Sequence, residues 1–296
     1  MLEKPIALAV GNFDGVHLGH QHLLNTLILK AKEKNLIPSV LMFNPHPLEV
    51  LEKESAPCII STVEERKEYM YNLGIENVFV INFTKEFSNI PARDFIKEYV
   101  HEKLNTKLLI VGYDWRYGAK REGEFELVKE MGQMLGFEVI PSEPYKVDGH
   151  IVSSTLIRRL LKEANLNDVK KYLGRDYSIK RKVVRGKGLG SKIGFPTANI
   201  SNTSNMCLKE GVYAVKVNNY LGVANYGKRP TVENTNQNIL EVHIIDFNGD
   251  LVDNVLNITF LGFLREEKKF NSIEELKTQI KTDIETTKAL FSNKSV

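Results

Sequence analysis

Ile6-Ala7-Leu8-Ala9-Val10 is followed by Gly11-Asn12-Phe13-Asp14-Gly15-Val16-His17-Leu18-Gly19-His20, an apolar run set against ten residues that hold three glycines and two histidines. A run that stays apolar on both faces reads as a strand covered on both sides by helices. The amphipathic segment HQHLLNTLILKAKEKN reads as the first covering helix. Their junction is then a glycine-rich loop at a helix N-terminus, where N–H groups and the positive dipole end favour phosphate. His17 and His20, three apart, project from one side of the first turn. Two such imidazoles can donate hydrogen bonds to phosphoryl oxygens under attack and to departing pyrophosphate. Gly15 and Gly19 allow close approach of backbone and nucleotide. The stretch therefore predicts nucleotidyl transfer, with His17 and His20 catalytic and Gly11, Asn12, Phe13, Asp14, Gly15 and Gly19 around the phosphates. A zinc site is disfavoured, since no HExxH glutamate and no third ligand accompany the pair. His22 is expected to be solvent-facing or structural.

Outward from this stretch, apolar runs alternate with amphipathic segments as far as FEVI at 137–140. The repeated strand-helix order predicts a doubly wound parallel sheet. Helix punctuation agrees: Thr62 with Glu65 forms a capping box, Pro91 suits a first helical position, and Gly74 and Gly136 suit C-terminal caps. From about Tyr177 the pattern changes to closely spaced strands, SIKRKVV, GVYAVKV, YLGVANY, ILEVHIIDF and NVLNITFLGFL, with turns such as Asn248-Gly249. These predict a small β-barrel. The final SIEELKTQIKTDIETTKALF predicts a capping helix with Ile273, Leu276, Ile280, Ile284 and Ala289 on its apolar face. The boundary falls near Gly174, giving domains 1–174, with a helical connector, and 175–296. The chain of 296 residues is long enough for two cores, and a net charge of +3 by itself points to no nucleic-acid partner. Cys58 and Cys207 lie far apart in sequence, in different predicted domains, and read as ordinary reduced thiols. No signal peptide or membrane span is evident, so the cytoplasm is the expected location.

Further constellations carry chemistry. Ser154 and Thr155 open a helix with hydroxyls, and Arg158 one turn later can clamp phosphate oxygens; the same residues also make an ordinary cap with a solvated arginine. Trp115 and Tyr117 offer either core or a flat surface for a ring system. Asn44 and His46, in Asn44-Pro45-His46-Pro47, sit on a loop that the prolines stiffen into a site edge or a structural turn. In RGKGLGSKIGFPTAN, Gly186, Lys187, Gly188, Gly190 and Lys192 would form a mobile loop that wraps phosphates. Thr197 and Asn199 offer neutral oxygens suited to magnesium. The basic run from Arg175 to Lys187 admits nucleic-acid contact, although cations at alternating strand positions more often form a solvated face.

GNFDGVHLGH resembles the HxGH signature of nucleotidyltransferases, in the form found in bacterial bifunctional FAD synthetases. The resemblance continues through FNPHP at 43–47, GYDWRYG at 112–118, SSTLIR at 153–158, GFPTAN at 194–199, GVYAV at 211–215 and NYGKRPT at 225–231. It implies that the first half is an FMN adenylyltransferase, and that the barrel is a riboflavin kinase. ATP and a divalent cation such as Mg2+ would be required, with riboflavin and FMN as substrates and FAD, ADP and pyrophosphate as products. The resemblance places the flavin near Asn44, His46, Asp114, Trp115 and Tyr117, and assigns the base of the kinase to Glu241 in Leu240-Glu241-Val242-His243. One departure stands out: Val252-Asp253 replaces the family's Tyr-Gly after the glutamate strand. The aspartate can still adopt the turn's left-handed backbone, while the lost aromatic is expected to weaken kinase binding. Two other readings follow: a monofunctional FMN adenylyltransferase with a weak barrel, and a flavin-sensing regulator that binds nucleic acid.

Overall fold

The computed structural model describes residues 3–112, 115–186, 188–228 and 238–292. The sequence-predicted sites Asp114 and Lys187 and the segment 229–231 lie outside them. The chain forms two compact units, Met1–Pro57 with Ser61–Ser154, and Cys58–Ile60 with Thr155–Val296.

The first unit holds β1 (Ile6–Val10), α1 (Leu18–Glu33), β2 (Ile37–Asn44), α2 (Pro47–Leu51), α3 (Val63–Leu73), β3 (Asn77–Asn82), α4 (Ala92–Asp94, running on into a π-helical stretch Phe95–Lys103), β4 (Thr106–Gly112), α5 (Phe125–Leu135), β5 (Glu138–Ser142) and a small hairpin, β6 (Lys146–Val147) with β7 (His150–Ile151). Five parallel strands run in the order β3-β2-β1-β4-β5. The order reverses beside β1, so the loop after β1 lies at the topological switch point, where doubly wound sheets bind ligands. Every residue of β1 is buried. Its alternate side chains feed two cores, Ala7 and Ala9 on the α1 side and Ile6, Leu8 and Val10 on the other. Thr62 and Glu65 make the expected capping box, and Gly74 and Gly136 end their helices at φ 106° and 76°. Pro91 stands at the N-cap, one place before the first helical residue.

The second unit contains α6 (Ser154–Lys162, whose first residue belongs to the first unit), α7 (Leu166–Leu173), β8 (Ser178–Val184), α8 (Leu189–Lys192), β9 (Ala198–Ile200), β10 (Gly211–Val217), β11 (Tyr220–Lys228), β12 (Asn238–Ile244), β13 (Val255–Arg265) and α9 (Ile273–Ser292). Six strands close a barrel in the order β10-β11-β12-β9-β8-β13. Tyr213, Tyr226 and Phe260 are among the large side chains that fill it. The Tyr213 hydroxyl donates to the Lys209 carbonyl at 2.6 Å, and the Tyr226 hydroxyl to the carbonyls of Thr203 and Met206. β9 was not expected; its three residues are too few for alternation to register.

Two expectations are corrected. Cys58 and Cys207 are bonded to each other, with Cα atoms 5.0 Å apart across a sequence separation of 149. Residues 58–60 belong to the second unit, where Ile59 bridges Met206 through Ile59 N–H to Asn205 O (2.8 Å) and Cys207 N–H to Ile59 O (3.3 Å). Spacing alone cannot reveal a pairing made by so distant a segment. On α9, Ile273 and Ala289 are exposed, and the most buried residues are Asp283 and Thr287. Arg265 of β13 grips Asp283 with a two-bond fork, Nε to Oδ1 at 3.0 Å and Nη2 to Oδ2 at 2.8 Å. The helix lies against β10, β11 and β13, and a charged pair replaces part of the expected apolar stripe.

Candidate active sites

In the first unit the loop after β1 is a tight, positive-φ turn. Phe13, Gly15 and Val16 have φ of 51°, 82° and 40°. A β-branched residue there is a genuine outlier, and such backbone strain of about 1–3 kcal/mol collects at functional sites. The turn ends at His17, the buried N-cap of α1, whose Nδ1 accepts the N–H of His20 at 3.3 Å. With Nδ1 an acceptor, the proton of the neutral ring sits on Nε2, which makes that nitrogen the donor. The His17 and His20 rings stack at 3.6 Å, and Phe13 meets His20 edge-on at 5.2 Å. A Cβ on Gly19 would lie 2.9 Å from the Val152 carbonyl oxygen and 3.2 Å from the His17 ring, so only glycine fits beneath the pair.

The loop is held by Ser61, just ahead of α3, by Arg66 on α3 and by Ser154. Asp14, buried, accepts the Ser61 N–H at 2.9 Å and its hydroxyl at 3.2 Å, while Ser61 Oγ accepts the Gly15 N–H at 2.8 Å. Arg66 donates from Nη1 to the Asn12 carbonyl and from Nε to the Thr62 carbonyl. Ser154 Oγ donates to the Asp14 carbonyl at 3.0 Å. Two amides expected at phosphate are therefore turned inward: Gly15 N–H goes to Ser61, and Gly11 N–H goes to the Leu41 carbonyl. Those residues shape the loop rather than donate from it. The Asn12 Oδ1 is buried with no hydrogen-bond partner among the described residues. Ser61 and Arg66 were missed by sequence reasoning. Their signal was positional: they flank the Thr62–Glu65 capping box in the β2–β3 connection, next in chain order to the loop after β1.

The expected flavin contacts divide. His46 N-caps α2, accepting the Leu48 N–H on Nδ1 while its own N–H goes to Glu49, which supports the structural-turn alternative. Asn44 ends β2. Tyr117 is a core residue, stacked 4.1 Å from Trp115, and Gly123 packs on its ring too closely for a Cβ. Burial pushes its hydroxyl well above the ordinary tyrosine range. Trp115 is partly buried against the same core. Thr155 and Arg158 follow Ser154 on α6, within the second unit, where Arg158 Nε donates to the Cys58 carbonyl at 2.9 Å.

In the barrel, alternation along β12 buries Leu240, Val242 and Ile244 and turns Glu241 outward. The antiparallel register sets Glu241 opposite Asn199 on β9 and opposite Asn225 on β11, and directly paired residues share a face. Beside them opens a cleft of about 250 Å³ whose wall includes Gly186, Thr197, Asn199 and Val252. A Cβ on Gly186 would collide with the Asn199 amide, and one on Gly190 would collide with the Phe195 carbonyl oxygen, with Thr197 Oγ1 next at 3.3 Å, so the first glycine makes room for a side chain and the second for backbone. The expected mobile loop instead contains the one-turn helix α8, entered at Gly188 and holding Lys192 in an exposed position. One contact was not anticipated: Asn225, opposite Glu241, donates from Nδ2 to Glu267 Oε1 at 3.0 Å. Asp253 takes the left-handed backbone expected of it, φ 71°, and its carboxylate meets Lys182 Nζ at 2.7 Å, which holds it below its usual range.

A family described as FAD synthetase matches residues 1–156, and one described as riboflavin kinase matches residues 173–291. A bifunctional riboflavin kinase/FMN adenylyltransferase of Buchnera aphidicola subsp. Schizaphis graminum is 38% identical, the alignment spanning 97% of this chain and 94% of the relative. That of Escherichia coli K12 is 37% identical over 98% and 94%. A solved Streptococcus pneumoniae chain described as a macrolide-efflux protein superposes with a TM-score of 0.83 at 29% identity, over 97% of this chain and 95% of that one. Both matches occur in one polypeptide, which aligns with these relatives along nearly its whole length, and the chain belongs to the bifunctional riboflavin kinase/FMN adenylyltransferase family.

Proposed function

We propose that the barrel phosphorylates riboflavin with ATP, giving FMN and ADP, and that the α/β unit adenylylates FMN with a second ATP, giving FAD and pyrophosphate. The observation that carries this reading is the stacked His17–His20 pair at the start of α1, at the switch point of the sheet. The FMN phosphate attacks the α-phosphorus of ATP while Nε2–H of His17 and the His20 ring stabilise the charge that develops on the phosphoryl oxygens and pyrophosphate. Asn12 and Gly19 line the approach, and Thr155 and Arg158 bind phosphate oxygens. In the barrel, Glu241 takes the proton of the riboflavin hydroxymethyl group as it attacks the γ-phosphorus. Thr197 and Asn199 present neutral oxygens on one face, a donor set that fits Mg2+, which usually keeps waters and takes phosphate oxygens as further ligands. When bound, the ion supplies charge neutralisation at the β- and γ-phosphates. The adenylyltransferase module with its helical connector is residues 1–174 and the kinase module residues 175–296. Among the described residues no helix is long and apolar enough to cross a membrane, and we place the enzyme in the cytoplasm. Lys182 of the basic run is paired with Asp253 and Arg181 is buried, which argues against a nucleic-acid surface.

The test is incubation of the protein with ATP, Mg2+ and either riboflavin or FMN, with chromatographic separation of FMN from FAD. Glu241→Gln is expected to suppress FMN formation about 100-fold or more and to spare FAD formation from supplied FMN. FAD formation with no riboflavin phosphorylation by the parent would favour the monofunctional reading, for which Val252 in the cleft wall is the specific motive.

A further inference from the structure

We propose that His243 is a positioning residue of the kinase site, tying the strand that carries Glu241 to the segment that presents Thr197 and Asn199. The inference rests on reading the barrel as the kinase. The β12–β9 ladder pairs Leu240 with Ile200, Glu241 with Asn199 and Val242 with Ala198, and stops there. Continued by one step, it would pair His243 with Thr197. The chain before Thr197 is Phe195-Pro196, and a proline has no N–H with which to extend a ladder. A side chain fills the gap: His243 Nδ1 lies 2.8 Å from the Pro196 carbonyl oxygen. A carbonyl only accepts, so Nδ1 carries the proton, and the neutral ring is fixed in that tautomer. The Phe195 ring meets the imidazole edge-on at 5.6 Å. On the opposite side, Phe195 N–H donates to the Gly190 carbonyl at 2.9 Å. Phe195-Pro196 is thus clamped between the glycine-rich loop and β12, immediately ahead of the two candidate cation ligands. His243 projects from the same outward face as Glu241, with the buried Val242 between them. One strand therefore sets both the base and the anchor of the oxygen ligands, and the spacing between these groups does not depend on a free loop.

The test uses the full-length protein and two variants. His243→Phe keeps a ring against Phe195 and removes the donor; His243→Asn returns an amide N–H near the position of Nδ1. Initial rates of riboflavin phosphorylation are measured with Mg2+ and ATP varied, FAD formation from supplied FMN serves as the internal control, and amide hydrogen exchange is followed over residues 193–200. Loss of one hydrogen bond that holds the ligand segment is expected to raise the Mg2+ and ATP concentrations for half-maximal rate about tenfold in His243→Phe. Turnover at saturation should stay near that of the parent, exchange over 193–200 should accelerate, and adenylylation should be unaffected. His243→Asn should recover most of the loss. Parent-like Mg2+ dependence in His243→Phe, or equal impairment in both variants, overturns the proposal. Failure of the parent to make any FMN sinks the kinase reading instead, and unchanged exchange in His243→Phe then overturns the anchor by itself.

Discussion

His17 has two uses: its Nδ1 caps α1, and the proposed adenylylation takes its Nε2–H as the donor toward phosphate. Alanine removes both, so His17→Ala is expected to cost about 1 kcal/mol of stability as a lost N-cap, whereas His17→Asn keeps a capping oxygen and loses only the donor. Replacing both His17 and His20 by alanine should reduce FAD formation by roughly 10³-fold or more, since single donors to a developing oxyanion are worth about 10²–10³. FMN formation from riboflavin should persist in the same protein; parallel loss of both activities in a folded double mutant would refute two separate sites. At the other site, Val252 occupies the cleft wall where the resembling family has tyrosine. The double change Val252→Tyr with Asp253→Gly is expected to lower KM for one kinase substrate several-fold, because an aromatic contact adds about 0.5–1.5 kcal/mol beyond buried area; steady-state kinetics on both activities would check it. The backbone of Asp253 was legible because few residue types tolerate φ of 71°. Ser61 and Arg66 were not legible as loop holders, since their partners Asp14 and Asn12 are more than forty residues away in sequence.

At the scale of elements, the sequence pattern located the long helices and all five longer barrel strands, some by alternation, as in β8 and β12, and β10 as a run that is apolar on both faces. It failed where burial is bought by pairing rather than by apolar character. The innermost positions of α9 are Asp283 and Thr287, which any hydrophobicity pattern assigns to solvent. Asp283 is 5% exposed at its side chain and Arg265 21%, so Asp283→Ala strands a largely buried guanidinium. The expected cost is about 3 kcal/mol, read as a shifted denaturation midpoint, with α9 loosened from β10, β11 and β13. A midpoint equal to that of the parent would mean that the fork contributes nothing to docking the helix. β9 escaped notice for a different reason: three residues cannot display an alternation, and the PTAN stretch reads as loop because its proline ends the ladder.

For the whole molecule, the buried tyrosines give a pH signature. Burial raises the Tyr213 and Tyr226 hydroxyls above the ordinary value of 10.0. Above about pH 10 the unfolded chain releases these protons first, so stability falls as pH rises; below that value both states hold them and the contribution is complete. Denaturant unfolding between pH 8 and 11 should show a plateau and then a decline, and Tyr213→Phe should flatten the decline; an unchanged slope would assign it to other groups. The change from parallel sheet to barrel was legible from the change of period near Tyr177, yet the membership of residues 58–60 in the second unit was not, and that membership has a consequence in time. Translation proceeds at about 5–20 residues per second, so the 149 positions separating Cys58 from Cys207 take about 7 to 30 s to be made. Everything needed for the first unit has been synthesised once Ser154 is added, while Ile59 still awaits the bridge to Met206 and the Cys58 thiol has no Cys207 to meet. For those seconds the nascent chain carries three residues that belong to a body not yet synthesised, and the order of manufacture decides which chemistry reaches that thiol first.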